Sequence, residues 1–209
     1  MKDAYSLAGR VLATSKDVSS YQFDIHSNIS MLGESFTLVK GNGPVDYANG
    51  KMAVRLKSVE DTIDMIVVDD IAYSRTGDSS WETRKLNRKI WDTYDQLTQT
   101  NMLLANSTEL SMEREGEYLI LTAIPDSNVL LEEARRTGLQ LRGDERLNEY
   151  TIRYTIGKDS YRISSIESHM EFMMNVQGLM SPVIINNRVD FYGYDEDVVI
   201  VAPFSENGE

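Results

Sequence analysis

Between Met52 and Trp81 the apolar residues recur at every second position. Met52, Val54 and Leu56 alternate with Ala53, Arg55 and Lys57. After Glu60-Asp61 a second run begins with Ile63, Met65 and Val67 and continues to Ile71 and Tyr73. Successive side chains of an extended strand point to opposite faces, so this period specifies strands with one apolar and one wetted face. Gly77-Asp78-Ser79-Ser80 supplies a turn before Trp81. The stretch predicts a meander of long antiparallel strands, and a sheet of that kind must bury its apolar side against something.

The rest of the chain supplies more strands and the helices to cover them. Residues 3–16 place Ala4, Leu7, Ala8, Val11 and Leu12 on one helical stripe. From Tyr21 to Met31 the alternation is clean: Tyr21, Phe23, Ile25, Ile29 and Met31 face inward, with Ser27 the one polar residue among them. Gly33 marks a turn, Phe36 and Leu38 start the next strand, and Asn49-Gly50 is a strong hairpin signal. Pro44 predicts a bulge, an edge or a loop, because proline cannot donate to a ladder. At Ile90 the period changes. Ile90, Tyr94, Leu97, Asn101 and Leu104 predict an amphipathic helix of about 15 residues, broken near Thr98–Asn101. Strands return at Glu109–Glu113 and Glu117–Ile124, the second apolar on both faces and so expected to be covered on both sides. Asp126 or Ser127 can cap a short helix over 128–137, closed by Gly138, and a charged loop runs from Leu139 to Leu147. Tyr150–Ile156 and Tyr161–Met174 alternate again. A one-residue slip at Ser164-Ser165 reconciles the parity of the second, as a β-bulge does. Val183–Phe191 and Val198–Val201 are the last strand signals, and 205–209 is a polar tail expected to be flexible. The expectation is about ten strands and three helices in one domain spanning 1–204.

Composition narrows the function classes. The 33 acidic residues outnumber the 21 basic ones, for a net charge of -12. That excess argues against general binding to nucleic acid or to an anionic membrane. Two local basic patches stand out, Arg84-Lys85-Arg88-Lys89 and Arg135-Arg136-Arg142-Arg146, and solvated surface is the simpler explanation of both. There is no cysteine, which excludes disulfides, thiolate metal sites and cysteine nucleophiles. No apolar run approaches the ~20 residues a membrane helix needs. The first residues lack the apolar core of a secretion signal, so the chain is either cytosolic or an exported protein without its export segment. The sequons Asn28-Ile29-Ser30 and Asn106-Ser107-Thr108 favour export weakly.

No catalytic constellation is present. His26 and His169 both fall on polar strand faces, and neither a nucleophile elbow nor a phosphate-binding glycine loop occurs. Asp195-Glu196-Asp197 reads as a solvated turn before it reads as a calcium loop. Glu167, His169 and Glu171 share a face as surface residues on a strand do. No catalytic residue, metal site or cofactor is expected. The inward positions are more informative. Ten methionines are present, and Met31, Met52, Met65, Met170 and Met174 fall on inner faces beside Phe23, Ile25, Val54, Tyr73, Tyr154 and Phe172. Methionine is flexible and polarisable, and suits either core packing or a surface that adapts to varied apolar ligands. If the helices do not fill the concave side, these eleven residues are the expected lining of an apolar cavity.

The order of signals resembles the LolA/LppX–LprG-like superfamily of lipoprotein carriers and its archaeal and bacterial relatives. The likeness is carried by Ser20-Tyr21-Gln22-Phe23-Asp24 after a leading helix, then Lys51-Met52-Ala53-Val54 and Ile71-Ala72-Tyr73. Trp81 follows the Gly-Asp-Ser-Ser turn, Leu103-Leu104-Ala105 precedes Gly116-Glu117-Tyr118-Leu119, and the chain closes on Val198-Val199-Ile200-Val201-Ala202-Pro203. The resemblance implies an α+β fold, mainly antiparallel: a strongly curved, half-open barrel wrapped around two or three helices. It implies a non-enzymatic carrier outside the cytoplasmic membrane, holding a lipid, another apolar small molecule or a lipidated protein, with peripheral membrane contact. No lipobox cysteine is present and no residue matches the arginine such carriers use for release, so no site residue is transferred. The competing expectation is a cell-surface interaction or adhesion module with a filled core and an exposed patch at Trp81 or Trp91.

Overall fold

The computed structural model describes residues 2–126, 146–176 and 178–204. The expected helix at 128–137, the 139–147 loop except its last residues, most of the second basic patch and the 205–209 tail lie outside the described residues. The chain runs from α1 (Lys2–Ser15) through β1 (Ser20–Met31), β2 (Glu34–Asp46), β3 (Lys51–Ser58), β4 (Thr62–Val68), β5 (Ile71–Thr76) and β6 (Glu82–Lys85). Two helices follow, α2 (Arg88–Tyr94) and α3 (Gln96–Ala105). Then come β7 (Ser107–Glu115), β8 (Tyr118–Pro125), β9 (Arg146–Gly157), β10 (Ile163–Val176) and β11 (Leu179–Tyr192).

The eleven strands of the described residues form one open, curved antiparallel sheet in the order β6-β5-β4-β3-β2-β1-β11-β10-β9-β8-β7. The first and last strands pair at its centre, from Gln22 opposite Tyr192 to Met31 opposite Val183. Two meanders are thereby joined along one seam, and the helices between β6 and β7 link the two outer edges. The architecture is the α+β half-barrel expected.

The register explains which faces are buried. Directly paired residues share a face, and the inner rows read Phe23 with Phe191, Ile25 with Val189 and Ile29 with Ile185. A register shift between Ile163 and Ser165 is the bulge expected at Ser164-Ser165. Pro44 lies inside β2, where hydrogen bonding to β3 lapses between Asn42 and Val45. At Gly43 the neighbouring backbone comes so close that an added Cβ would lie 1.9 Å from the Ala53 carbonyl oxygen. No larger residue fits there without moving β3.

Ala4, Leu7, Ala8 and Val11 of α1 are buried, and the helix packs on α3, β7 and β8. Four differences from the sequence reading stand out. The helix expected around 90–104 breaks at Asp95, not at 98–101, because Asp95 closes α2 and caps α3. β6 was not anticipated; its four exposed residues carry no apolar alternation. Val198–Val201 forms no strand. In β8, Leu119, Ile120, Leu121 and Ala123 are buried, while Tyr118 and Ile124 on the outer face are exposed.

Candidate functional site

α2 and α3 lie against the concave face as a bent lid, and Asp95 is their joint. Its carboxylate is fully buried and, among the described residues, has no cation as a hydrogen-bond partner. Tyr21 Oη donates to Oδ1 at 2.7 Å and Tyr47 Oη to both oxygens at 2.8 Å. Trp91 Nε1 donates at 3.1 Å, and the Thr98 backbone N–H and hydroxyl at 3.1 and 2.6 Å. The Leu97 N–H in turn donates to Tyr21 Oη at 3.1 Å. Burial, followed by the nearby Asp95 charge, pushes the Tyr21 and Tyr47 phenols well above their ordinary range. Tyr21 also meets Tyr47 and Phe191 with ring centroids 5.8 Å apart. These bonds fasten the lid to β1 and to the residue that follows β2.

Away from Asp95 the lid stands off the sheet and leaves a partly open cavity of about 250 Å³. Ile25, Val39, Leu56 and Ile63 form one wall from β1–β4, and Tyr150, Ile152, Ile166 and Val189 the other from β9–β11. Thr93, Tyr94, Gln96, Gln99, Thr100 and Leu103 cover it. Across the middle of the floor runs a polar row, Ser27, Asn187 and Ser168, on adjacent strands. Ser27 Oγ donates to Asn187 Oδ1, and Asn187 Nδ2 donates to Ser168 Oγ at 3.2 Å. Thr93 and Gln99 also line a groove of about 1080 Å³ between α1 and the lid, which carries Lys16, Arg88 and Lys89 at its rim.

Of the eleven residues expected to line an apolar cavity, Ile25 does so. Phe23, Met52, Val54, Met65, Tyr154, Met170 and Phe172 are buried in the core, and Met31 and Met174 pack half-buried against it. Tyr73 pairs with Ile66 while Ala72 pairs with Val67, which puts Tyr73 on the outer face. The Asp69-Asp70 turn, both residues at positive φ, reverses the parity assumed across it. The polar residues of the lining escaped the sequence reading because a search for an apolar lining discards them. The visible signal is a polar residue in an inward register: Ser27 in β1, and equally Ser168 between Ile166 and Met170 and Asn187 between Ile185 and Val189.

The outer face holds the groups considered for chemistry. His26 and His169 line a polar depression of about 550 Å³ with Arg153, Glu167 and Arg188. Arg188 is paired with both Glu167 and Asp190, and one ring nitrogen of each histidine, His26 Nε2 and His169 Nδ1, meets an asparagine side chain. Asp195 accepts from Ser19 and pairs with Arg162, so it braces the start of β1. Trp81 lies under the Arg75 guanidinium, 4.7 Å from the ring centroid, and Trp91 packs against the core. No helix among the described residues is long and apolar enough to cross a membrane.

No protein-family model matches the sequence, and no curated protein matches it. Solved structures do resemble it. Lipoprotein LppX of Mycobacterium tuberculosis superposes with a TM-score of 0.56 at 10% identity, covering 96% of this chain and 99% of that one. LprF of Mycobacterium bovis gives 0.57 at 12% identity, covering 98% and 99%. The resemblance to the LolA/LppX–LprG-like superfamily therefore holds at the level of the fold.

Proposed function

We propose that this chain is a non-enzymatic carrier of an apolar small molecule or lipid segment, working outside the cytoplasm, with the ligand held between the curved sheet and the α2–α3 lid. One observation carries the reading: among the described residues, the helices do not fill the concave side. Protein interiors are close-packed and rarely leave voids larger than a water molecule, yet a space of about 250 Å³ remains under the lid. Its walls are mostly aliphatic, and apolar cavities take up apolar guests. The size lies just below the ~300–1,000 Å³ usual for small-molecule sites. The matching guest is a compact molecule or part of one chain, and a larger lipid requires the lid to lift. The groove shared by Thr93 and Gln99 is the natural route of entry. The likeness to lipoproteins LppX and LprF supports the scaffold of this reading, and extracytoplasmic location and membrane contact are part of the same proposal.

The test is native mass spectrometry of the purified chain, with and without gentle organic extraction, followed by titration with the fluorescent probe N-phenyl-1-naphthylamine. Saturable binding that Ile166→Trp abolishes, with the fold intact by circular dichroism, supports the reading. Absence of any co-purifying molecule and of probe binding refutes it.

A further inference from the structure

Among the described residues no charged side chain lines the cavity, yet polar groups face it from both sides. On the floor, Ser27 and Ser168 are 3% and 8% exposed, and Asn187 lies between them in register. A primary amide has two N–H donors and a serine hydroxyl has one. Bonding within the row uses one N–H of Asn187 and leaves its second, together with the Ser168 hydroxyl hydrogen, for something else.

The lid is more specific. Gln99 is 5% exposed. Its Nε2 donates to the carbonyls of Asp92 and Thr93 at 2.8 and 2.6 Å, at the end of α2. Those two bonds fix which end of the amide is nitrogen. Oε1 is left buried with no partner among the described residues. A buried acceptor without a donor is costly and uncommon in native folds. Gln96 and Thr100, 6% and 2% exposed, add further buried polar groups on the same side of α3. If packing alone were required, leucine at these positions would serve a helix on an oily sheet better.

We propose that the cavity selects a neutral ligand bearing a hydrogen-bond donor, a hydroxyl or an amide N–H, on an otherwise apolar body. The donor reaches Gln99 Oε1 from below, and the Asn187–Ser168 pair holds the polar group from the floor. A plain hydrocarbon leaves Gln99 Oε1 without a donor. A carboxylate or ammonium finds no counter-charge among the described lining residues, and burial of an unpaired ion is strongly disfavoured. This inference rests on the carrier reading and narrows its ligand class.

The experiment is competition for bound N-phenyl-1-naphthylamine by 1-decanol, by 1-methoxydecane, which lacks only the donor, and by decanoate. The wild-type chain is expected to prefer decanol over methoxydecane by roughly three- to tenfold, the value of one net hydrogen bond, with decanoate weakest. Gln99→Met removes the decanol preference while methoxydecane still competes, whereas Ser168→Ala, which removes a donor to the oxygen both ligands carry, weakens decanol and methoxydecane alike. Equal competition by decanol and methoxydecane in the wild type overturns the inference and leaves the carrier reading standing. A preference that survives Gln99→Met also overturns it, since a trapped water would then pair Oε1. Failure of the probe to bind at all defeats the carrier reading as well.

Discussion

Asp95 is where a single substitution has the largest calculable effect. Removing its side chain in Asp95→Ala deletes the cap of α3, worth about 1 kcal/mol. It also leaves the Tyr21 hydroxyl, in a residue with no exposed surface, without an acceptor, at about 1–3 kcal/mol. Tyr47, Trp91 and the Thr98 hydroxyl are less buried and recover part of their loss by reaching water. Together these terms give about 3–5 kcal/mol, a large part of the 5–15 kcal/mol typical of a domain. At about 2–4 °C per kcal/mol for a chain of this size, the melting temperature falls by roughly 6–20 °C. Asp95→Asn keeps the shape but turns one acceptor into a donor facing other donors, and costs about 2–4 kcal/mol by the same reasoning. Urea unfolding followed by tryptophan fluorescence is the assay, because Trp91 bonds directly to Asp95. Tyr21→Phe, alone and combined with Asp95→Ala, completes a cycle whose coupling should lie between about 0.5 and 3 kcal/mol. An Asp95→Asn midpoint within about 0.5 kcal/mol of wild type, or strictly additive single effects, would show that the buried latch does not hold the lid.

Other expected outcomes follow from the same structure. Hydrogen bonding to Arg55 and Arg75 holds the Asp64 carboxyl below its usual range despite its burial, so its contribution is present above about pH 4 and lost as pH falls through the lowered folded value. Urea midpoints between pH 2 and 6 should therefore show a shallower acid loss for Asp64→Asn. The buried phenols of Tyr21 and Tyr47 are shifted the other way; they stabilise the fold fully below about pH 10 and less as pH rises beyond it, and Tyr47→Phe should flatten that alkaline loss. Leu32 holds φ +52° in the β1–β2 turn while 56% exposed, so Leu32→Asn should raise stability by about 0.5–1 kcal/mol in thermal denaturation. Gly43→Ala should cost at least about 3 kcal/mol by the same measurement, since its Cβ would collide with backbone that only a shift of β3 can clear.

The strands and their faces were legible in the residues because the period of two is local and each face reports its own burial. Phe23, Val54 and Met170 show it, and the parity break at Ser164-Ser165 revealed a bulge before any pairing was known. The acidic balance and the absence of cysteine likewise belong to the chain whatever its shape. Tertiary structure decided the rest. Whether an inward methionine packs or lines a void depends on how far a helix from elsewhere in the chain stands off the sheet, and that distance has no local signature. Asp95 reads as an ordinary helix residue until Tyr21 and Tyr47, 74 and 48 positions away, close over it. The polar row of Ser27, Asn187 and Ser168 exists because the first and last strands meet at the centre of the sheet. Only long-range pairing turns three scattered polar residues into one surface.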